Sequence, residues 1–556
     1  MAGYYVGVDV GTASVRAGLL SRDGRLLAHA GTPLKIWHPD GTEVYEQSTK
    51  DVWGGVCQVI KKVCSGVDKS LVRGIGFDAT CSLAVVGQDG RGLSVSLSGD
   101  PQKDIIMWLD HRAISQAGAI NQTDHYVLKY VGGLLSPEQQ AAKMLWLKEN
   151  LNETWKKAAK FLDLPEYLTY RATGSFQRSM CSVVSKFNFM GDESQRDKGS
   201  SSGWIESYWE AIGLQDLVEE GYTKLGSDFT HPGSVLNQGL SHDAAEEMGL
   251  LAGLPVGCSM IDAYAGGLGV IGADISGHSL PCKNQPITSR LALVCGTSTC
   301  HIALSEEALF VKGVWGPYFS NMVPGFWLNE GGQTATGKLI DHMIETHPCY
   351  DKLKEKAETS GISVYDLLNQ QAEKLASERG LSSPAFLTCH FHMLPDFHGN
   401  RSPIADADMR GMVCGLNLST SLDDLAIKYL ASIQALAHGT RHIIDSMNVS
   451  GHHVSTLFMC GGLTKNTLYV QVHADITGMP CVLPREEDSV LVGSGILGAC
   501  AARDFSSLQE AMKAMTAVGS IVRPDPRLQK FYEKKHKVFL KMQRDQLEYR
   551  QMMVDT

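Results

Sequence analysis

Three glycine turns in this 556-residue chain have the composition of phosphate-binding turns. The turn "DVGTAS" begins at Asp9, "CGTSTC" at Cys295 and "CGGLTKN" at Cys460, and each directly follows an apolar segment that predicts a strand. Backbone N–H groups that converge in such a turn bind an anion, and small residues let the anion come close. One such turn would be an ordinary hairpin. Three of them, two opening matching strand–turn–strand units, predict an ATP cleft between two domains.

Asp9 raises a separate question, because it lies inside the apolar strand "YYVGVDV" and directly before the first glycine turn. A carboxylate between Val8 and Val10 is costly to bury unless a partner compensates its charge. The sequence therefore predicts that a cation lies next to Asp9.

Two further glycine motifs resemble nucleotide-binding signatures, but we expect neither to bind a nucleotide. The segment "GGQTATGKL" matches G-x-x-x-x-G-K from Gly332 to Lys338, yet Leu339 stands where a P-loop needs Ser or Thr for Mg²⁺. The segment "GSGILG", Gly493 to Gly498, fits a dinucleotide fingerprint but leaves no room for the βαβ unit that must follow it. Close helix packing explains its glycines better.

Composition limits the class of partner. Hydrophobic residues make up 43% of the chain and charged residues 20%, which is typical of a globular protein. The net charge of −10 argues against nucleic acid or an anionic membrane as the main partner, and favours a small molecule. The 14 cysteines include no C-x-x-C pair and the N-terminus has no basic region before its apolar segment. We therefore expect reduced thiols, no metal cage, no signal peptide and a cytoplasmic location.

Two copies of one unit organise the chain. The strand–turn–strand pattern at residue 4 returns near residue 291, and the proline-containing segment "GHSLPCKNQPITS" between them has the composition of a linker. We predict an N-terminal lobe over residues 1–275 and a C-terminal lobe over 276–510. Residues 511–556 predict an amphipathic helix with a solvated face.

These segments carry a family resemblance that covers nearly the whole chain. The sequence resembles the FGGY carbohydrate kinases in "DVGTASVRAGL", "SPEQQAAKMLWL", "MIDAYAGGLG", "CGTSTCH", "WGPY", "PGFWLNEGGQTATG" and "CGGLTKN". The family's second signature has altered spacing before Ala431, which affects local loop length only. The resemblance implies an α/β fold of two ribonuclease-H-like lobes, as in the actin and hexokinase ATPases, with an ATP cleft between them.

The resemblance also implies roles at the cleft. Asp9 matches the family residue that holds Mg²⁺ beside the ATP phosphates, and the metal would then compensate its charge. Asp262 matches the catalytic base. The alternatives are a strand-end Asp9 that caps the turn and an Asp262 that only caps a helix. The residues that match the family's ATP-binding positions are Gly11, Thr12, Gly296, Thr297, Ser298, Gly461, Gly462 and Asn466.

The sugar pocket is expected mainly in the N-terminal lobe. The family places substrate contacts around "GFDATCSL" and "MWLDHRA", and ribulokinases add a Lys and a Glu. The corresponding candidates are Thr80, Cys81, Ser82, Asp110, Arg112, Lys186 and Glu330. Asp110 and Arg112 could equally form a structural ion pair, Lys186 could only cover apolar surface, and Cys81 could be a buried structural thiol.

The chain is more similar to ribulokinases than to glycerol or xylulose kinases, and "TCSL" resembles D-ribulokinases. The resemblance therefore implies an ATP- and Mg²⁺-dependent kinase that phosphorylates the terminal hydroxyl of a ketopentose, D-ribulose above all. Other pentuloses or polyols, such as L-ribulose, xylulose or ribitol, would use the same phosphate motifs. A binding protein without turnover is a further alternative. The sequence leaves the oligomeric state open, and a homodimer is one option.

Overall fold

The computed structural model describes residues 3–197 and 202–554 and shows a mixed α/β chain with two major sheets. In the N-terminal half the strands are β1 Tyr4–Val10, β2 Ser14–Ser21, β3 Leu26–Pro33, β4 Glu46–Gln47, β5 Val72–Ala79, β6 Leu83–Gly87, β7 Ile105–Ile106, β8 Ala158–Asp163, β9 Arg178–Ser179, β10 Phe229–Thr230 and β11 Met260–Ile261. The helices are α1 Thr49–Val63, α2 Ile114–Asn121, α3 Gln140–Asn150, α4 Asn152–Lys157, α5 Leu164–Thr173, α6 Met180–Lys186, α7 Glu206–Ala211, α8 Gln215–Glu219, α9 His242–Met248 and α10 Asp262–Ile271.

The C-terminal half follows with its own strands and helices. The strands are β12 Arg290–Cys295, β13 Thr299–Ser305, β14 Trp315–Phe319, β15 Trp327–Gln333, β16 His392–Leu394, β17 Met412–Cys414, β18 Thr456–Cys460, β19 Cys481–Pro484 and β20 Val518–Val522. The helices are α11 Gly337–Glu345, α12 Tyr350–Ser360, α13 Val364–Glu378, α14 Leu422–Val449, α15 Thr467–Thr477, α16 Ser489–Ala501, α17 Leu508–Met515 and α18 Gln529–Val554.

The two halves repeat one sheet topology, as the sequence predicts. In the first sheet, β1, β2 and β3 form an antiparallel meander, and β5 pairs with β1 in parallel. In the second, β12, β13 and β15 form the meander, and β18 pairs with β12 in parallel. Because the glycine turns follow β1 and β12, each turn occupies the same place in its own sheet.

Helix α16 joins the halves through glycines. A Cβ at Gly7 of β1 would lie 2.3 Å from the carbonyl oxygen of Leu491, and a Cβ at Gly493 would lie 2.0 Å from that of Ala265 on α10. Backbones this close leave no space for a side chain. The glycines of "GSGILG" therefore serve helix packing, which confirms the interpretation from sequence.

The start of the C-terminal helix differs from the sequence-based prediction. This helix begins at Gln529 and not at residue 511, because residues 518–522 form an edge strand that pairs with β19. It is described as far as Val554, so residues 555 and 556 lie outside the described residues. Helix α3 begins at Gln140, after a turn in which the Gln139 N–H donates to the Ser136 carbonyl over 3.0 Å. The lobe boundary after residue 275 stays a prediction.

Two features of the chain concern the wider class of protein. Across residues 3–197 and 202–554, no helix is both long and apolar enough to span a bilayer. All 14 cysteines are free thiols, and most of them are buried. The reducing environment expected from their spacing stays a prediction.

The contact between α10 and α16 can be tested with Gly493→Ala. Its Cβ would meet backbone that cannot move aside, so we expect a loss of at least about 2 kcal/mol in the free energy of unfolding. The matched control is Gly118→Ala, an exposed helical position whose Cβ would meet nothing within 4 Å. That change should be neutral or stabilise by up to about 1 kcal/mol. Urea unfolding midpoints compare the two variants, and equal midpoints would contradict the packing argument.

Candidate active site

A cavity of about 240 Å³ lies between the two halves, and residues that directly follow β1 and β12 form part of its wall. Most of the residues predicted to form the site line it. They are Asp9, Gly11, Thr12, Thr80, Cys81, Lys186, Asp262, Gly296, Thr297, Ser298 and Glu330. The turns after β1 and β12 and four of the seven candidate sugar contacts therefore lie around one cavity.

The turn after β1 is held by contacts from its own lobe. The backbone N–H of Gly11 donates to the carbonyl of Ser14 over 3.0 Å, which closes the turn. The side-chain amide of Gln47 donates to the Thr12 carbonyl over 2.9 Å, and the indole N–H of Trp108 donates to Thr12 Oγ1 over 3.0 Å. The turn is therefore fixed before any ligand binds.

The turn after β12 is held by the start of α11. The Gly296 N–H donates to the Ser298 carbonyl over 2.8 Å, and the Thr336 N–H donates to the Thr297 carbonyl over 2.8 Å. A Cβ at Gly337 would lie 2.8 Å from the Gly296 carbonyl oxygen, so only glycine fits there. The segment that resembles a P-loop therefore supports the neighbouring turn.

The charge of Asp9 is compensated within the protein by Arg16. Asp9 is 1% exposed, and its Oδ2 accepts a hydrogen bond of 2.8 Å from Arg16 Nε. The two residues are paired in the antiparallel register of β1 and β2, so their side chains share one face of the sheet. Arg16 also bonds to Asp488 near the start of α16. Arg16 is a partner of Asp9 that the sequence-based reasoning missed, and the metal expected next to Asp9 stays a prediction.

Asp262 is a half-buried carboxyl group at the first residue of α10. Its Oδ1 accepts a hydrogen bond of 2.7 Å from the N–H of Ala263, while Ile261 occupies the N-cap position. Burial, and next the negative charge of Asp9, raise the pKa of Asp262 to about 7, although Ala263 and Lys186 act in the opposite direction. A carboxyl group with this pKa can take up a proton near neutral pH.

Lys186 and Glu330 also line the cavity, together with Thr80 and Cys81. Glu330 Oε2 accepts a hydrogen bond of 2.6 Å from Tyr264, and its Oε1 accepts one of 3.0 Å from Arg401. The Lys186 ammonium lies 4.6 Å from the ring centre of Trp315. We call the part of the cavity that Lys186, Glu330, Thr80 and Cys81 line the polar end. It is rich in charged groups that can bind hydroxyls.

Besides Arg16, the residues that line the cavity and were missed from the sequence include Trp108, Glu138 and Arg401. Trp108 lies in "MWLDHRA" and Glu138 in "SPEQQ", both of which belong to segments that carried the resemblance. Arg401 lies in "HGNRSP", a loop segment without any predicted element. Attention to every charged residue in the matched segments would have found Glu138, whereas Arg401 had no such signal.

Three of the predicted sugar contacts do not line the cavity. Ser82 is buried behind it, where its Oγ accepts a hydrogen bond of 3.1 Å from the N–H of Trp108. Asp110 and Arg112 form a buried ion pair with an N–O distance of 2.7 Å, and Arg112 also bonds to Glu46 over 3.0 Å. This arrangement has the geometry of the structural ion pair that the sequence left as an alternative.

The third glycine turn also lies outside the lining of the cavity. A Cβ at Gly461 would lie 2.3 Å from the carbonyl oxygen of Cys295, so this turn packs directly against the turn after β12. A Cβ at Gly462 would meet nothing within 4 Å. Asn466 caps α15 by accepting from the N–H of Leu468 over 3.2 Å. These three residues stay predictions for nucleotide contacts.

The chain can supply only part of a magnesium site. Within the part of the chain that the structure describes, no three His, Cys, Asp or Glu side chains form a metal cage. Mg²⁺ usually keeps several waters and is bound by one or two carboxylates together with substrate phosphates. The buried carboxylate of Asp9, which lines the cavity beside the turn after β1, fits that requirement.

Comparison with known proteins gives matches over most of the chain. The family model "FGGY family of carbohydrate kinases, N-terminal domain" matches residues 4–193, and its C-terminal counterpart matches residues 291–502. A human protein named "FGGY carbohydrate kinase domain-containing protein" is 53% identical, over 99% of this chain and 98% of its own length. A D-ribulokinase of Saccharomyces cerevisiae is 40% identical, over 92% of this chain and 73% of its own. The crystal structure of a xylulose kinase from Rhodospirillum rubrum has a TM-score of 0.76 at 18% identity, covering 98% and 99% of the two chains.

The buried ion pair behind the cavity can be tested with Arg112→Met. Removing the guanidinium would leave the carboxylates of Asp110 and Glu46 buried without it, so we expect a loss of about 3 kcal/mol or more in stability. The matched control is Lys156→Met, which removes an exposed cation that lies 3.8 Å from Glu153. That change should cost less than about 1 kcal/mol. Urea unfolding measures both, and an Arg112→Met midpoint equal to that of the control would contradict a structural role.

Proposed function

The chain belongs to the FGGY family of carbohydrate kinases, and on that premise we propose that it phosphorylates D-ribulose at its terminal hydroxyl to give D-ribulose 5-phosphate. One observation carries the proposal: a single cavity contains the half-buried carboxyl group of Asp262, together with two supported glycine turns and a polar end. The choice of D-ribulose is supported by the 40% identity to a D-ribulokinase and by the "TCSL" stretch.

Asp262 would act as the general base. In phosphoryl transfer the protein mainly aligns the acceptor hydroxyl with the γ-phosphate and neutralises charge, so one carboxylate near the hydroxyl is sufficient. A pKa of about 7 leaves much of Asp262 ionised at neutral pH. It can then accept the proton of the hydroxyl as the oxygen forms its bond to phosphorus.

The part of the cavity that the two glycine turns line would hold ATP. Thr12, Thr297 and Ser298 lie in the two turns and would bind the phosphates through backbone N–H groups and hydroxyls. Asp9 would hold Mg²⁺, which neutralises phosphate charge when bound. Arg16 compensates the charge of Asp9 and fixes its position, because it donates directly to the carboxylate.

The polar end would bind the sugar. Lys186 and Glu330 would contact its hydroxyl oxygens, and Thr80 and Cys81 would complete the wall. Since the cavity lies between the halves, their closure would exclude water that otherwise hydrolyses ATP. ATP and one sugar are then the only partners that the reaction needs. Neither nucleic acid nor a membrane takes part in it. A cytoplasmic location is consistent with these two small-molecule substrates.

The substrate can be tested by ADP release from Mg-ATP with D-ribulose, L-ribulose, D-xylulose, L-xylulose, ribitol, D-arabitol and glycerol. We expect kcat/KM for D-ribulose to exceed the others at least tenfold, and Asp262→Asn to lose at least 100-fold, because it keeps the shape of the base but cannot accept a proton. If the enzyme prefers a different sugar, the kinase activity stands and the D-ribulose proposal is wrong. ATP binding without turnover of any sugar would instead favour a binding protein.

The pH dependence of the reaction tests the base independently. Asp262 acts when ionised, so kcat/KM for the sugar should rise as the pH increases through about 7 and level off above it. Since one unit below the pKa leaves roughly a tenth of the carboxyl group ionised, the value at pH 6 should be about tenfold below the plateau. Thermal melting at each pH serves as the control for folding. A flat profile from pH 5.5 to 8 would argue against Asp262 as the base.

A further inference from the structure

The polar end contains charged groups with hydrogen-bonding capacity that the protein does not use. Lys186 is 3% exposed and Glu138 9% exposed, and both line the cavity. Among the described residues, no group accepts a hydrogen bond from the Lys186 ammonium, and none donates one to the Glu138 carboxylate. Buried charged groups are normally paired or hydrogen-bonded. These two charged groups are therefore available to bind a polar ligand in the cavity.

Arg401 is the third such group. One of its terminal nitrogens donates to Glu330 Oε1 over 3.0 Å, and its guanidinium carbon lies 4.1 Å from the ring centre of Trp315. Guanidinium carries five N–H donors in a rigid fork, and Glu330 is the one side-chain acceptor bonded to it among the described residues. Several donors of Arg401 are therefore left for a ligand in the cavity.

Trp315 fixes the orientation of these cations. It lies directly opposite Glu330 in the register of β14 and β15, and its ring contacts both Arg401 and Lys186. Stacking on an aromatic ring and pairing with a carboxylate together leave a guanidinium little rotational freedom. Arg401 is thus preorganised before the substrate enters.

We propose that Arg401 and Glu138 form a donor–acceptor pair that binds hydroxyl groups of the sugar and selects its configuration. A hydroxyl both donates and accepts, so it can donate to the Glu138 carboxylate while its oxygen accepts from Arg401. A sugar with one inverted hydroxyl would leave a buried charged group without its bond. The inference rests on the proposed function, because it takes the ligand of this end to be the sugar.

The C-terminal helix positions Arg401. Arg401 lies in the loop between β16 and β17, and α18 holds that loop at several points. Within the loop, Gln546 Oε1 accepts from the N–H of Arg410 over 2.9 Å and Arg550 pairs with Asp406 over 2.7 Å. Directly before β16, the Lys535 ammonium donates to the Phe391 carbonyl over 2.7 Å. Gln546 is therefore a positioning residue that acts on the sugar site through the loop.

The direct test compares Arg401→Met, Arg401→Lys and Glu138→Gln with the unaltered enzyme. We expect KM for the preferred sugar to rise at least tenfold in Arg401→Met and Glu138→Gln, and less in Arg401→Lys, which keeps the charge but loses the fork. KM for ATP should change less than twofold in all three. Preference between D-ribulose and L-ribulose should also fall at least fivefold, which a purely structural role would not produce.

Chemical rescue separates binding from support of the fold. In Arg401→Ala, guanidinium chloride at 20 mM should restore at least a tenth of the lost kcat/KM, while urea at the same concentration should restore none. If Arg401→Met does not fold, Arg401→Lys and Glu138→Gln decide the question from the same measurements.

The role of the helix is tested with Gln546→Ala, whose matched control is Lys541→Ala on the same helix. Lys541 makes an exposed pair with Asp545 over 2.9 Å. We expect Gln546→Ala to raise KM for the sugar about threefold or more without changing KM for ATP, and Lys541→Ala to change neither. Equal sugar KM values in these two variants would overturn the positioning role.

The outcomes distinguish this inference from the proposed function. If the unaltered enzyme phosphorylates a sugar and the three direct variants keep its KM within twofold, the inference is wrong and the function stands. If the unaltered enzyme phosphorylates none, the function is wrong, and calorimetric binding of D-ribulose then decides: binding that Arg401→Met abolishes supports the pair, and no binding or unchanged binding rejects it.

Discussion

The contact of α16 with α10 and with the first sheet determines where the cavity lies. The two helices approach so closely that Gly493 has the carbonyl of Ala265 where a Cβ would be, and Gly7 has that of Leu491. Since α16 comes from the C-terminal half and lies against β1, the end of β1 has a fixed position relative to β12. Asp262 starts α10, so the same contact also sets the position of the proposed base.

Two carboxylates that line this cavity are paired with a cation, and Asp262 lies in a different environment. Asp9 is paired with Arg16, and Glu330 with Arg401, so a positive charge compensates each of these two carboxylates. Asp262 has no such ion pair among the described residues, and burial raises its pKa to about 7. Different environments thus adapt chemically identical groups to different tasks.

The C-terminal helix connects the periphery of the molecule to the polar end. Its buried face, which includes Tyr532, Phe539 and Met542, packs against the C-terminal half. Through Gln546 it holds the loop that carries Arg401. The C-terminal segment, which the sequence predicts to be an amphipathic helix with a solvated face, therefore also supports the cavity.

The sequence by itself determined the repeated sheet unit, the α/β fold and the central residues of the cavity. The glycine turns, Asp9 and Asp262 have local signatures, because a turn residue or a helix start is set by its immediate neighbours. Tertiary structure alone decided which charged side chains pair with one another. Arg401 meets Glu330 across 71 residues of chain, and Asp110 and Arg112 turn towards Glu46 and away from the cavity. Such contacts depend on how distant elements pack, which local sequence pattern does not encode.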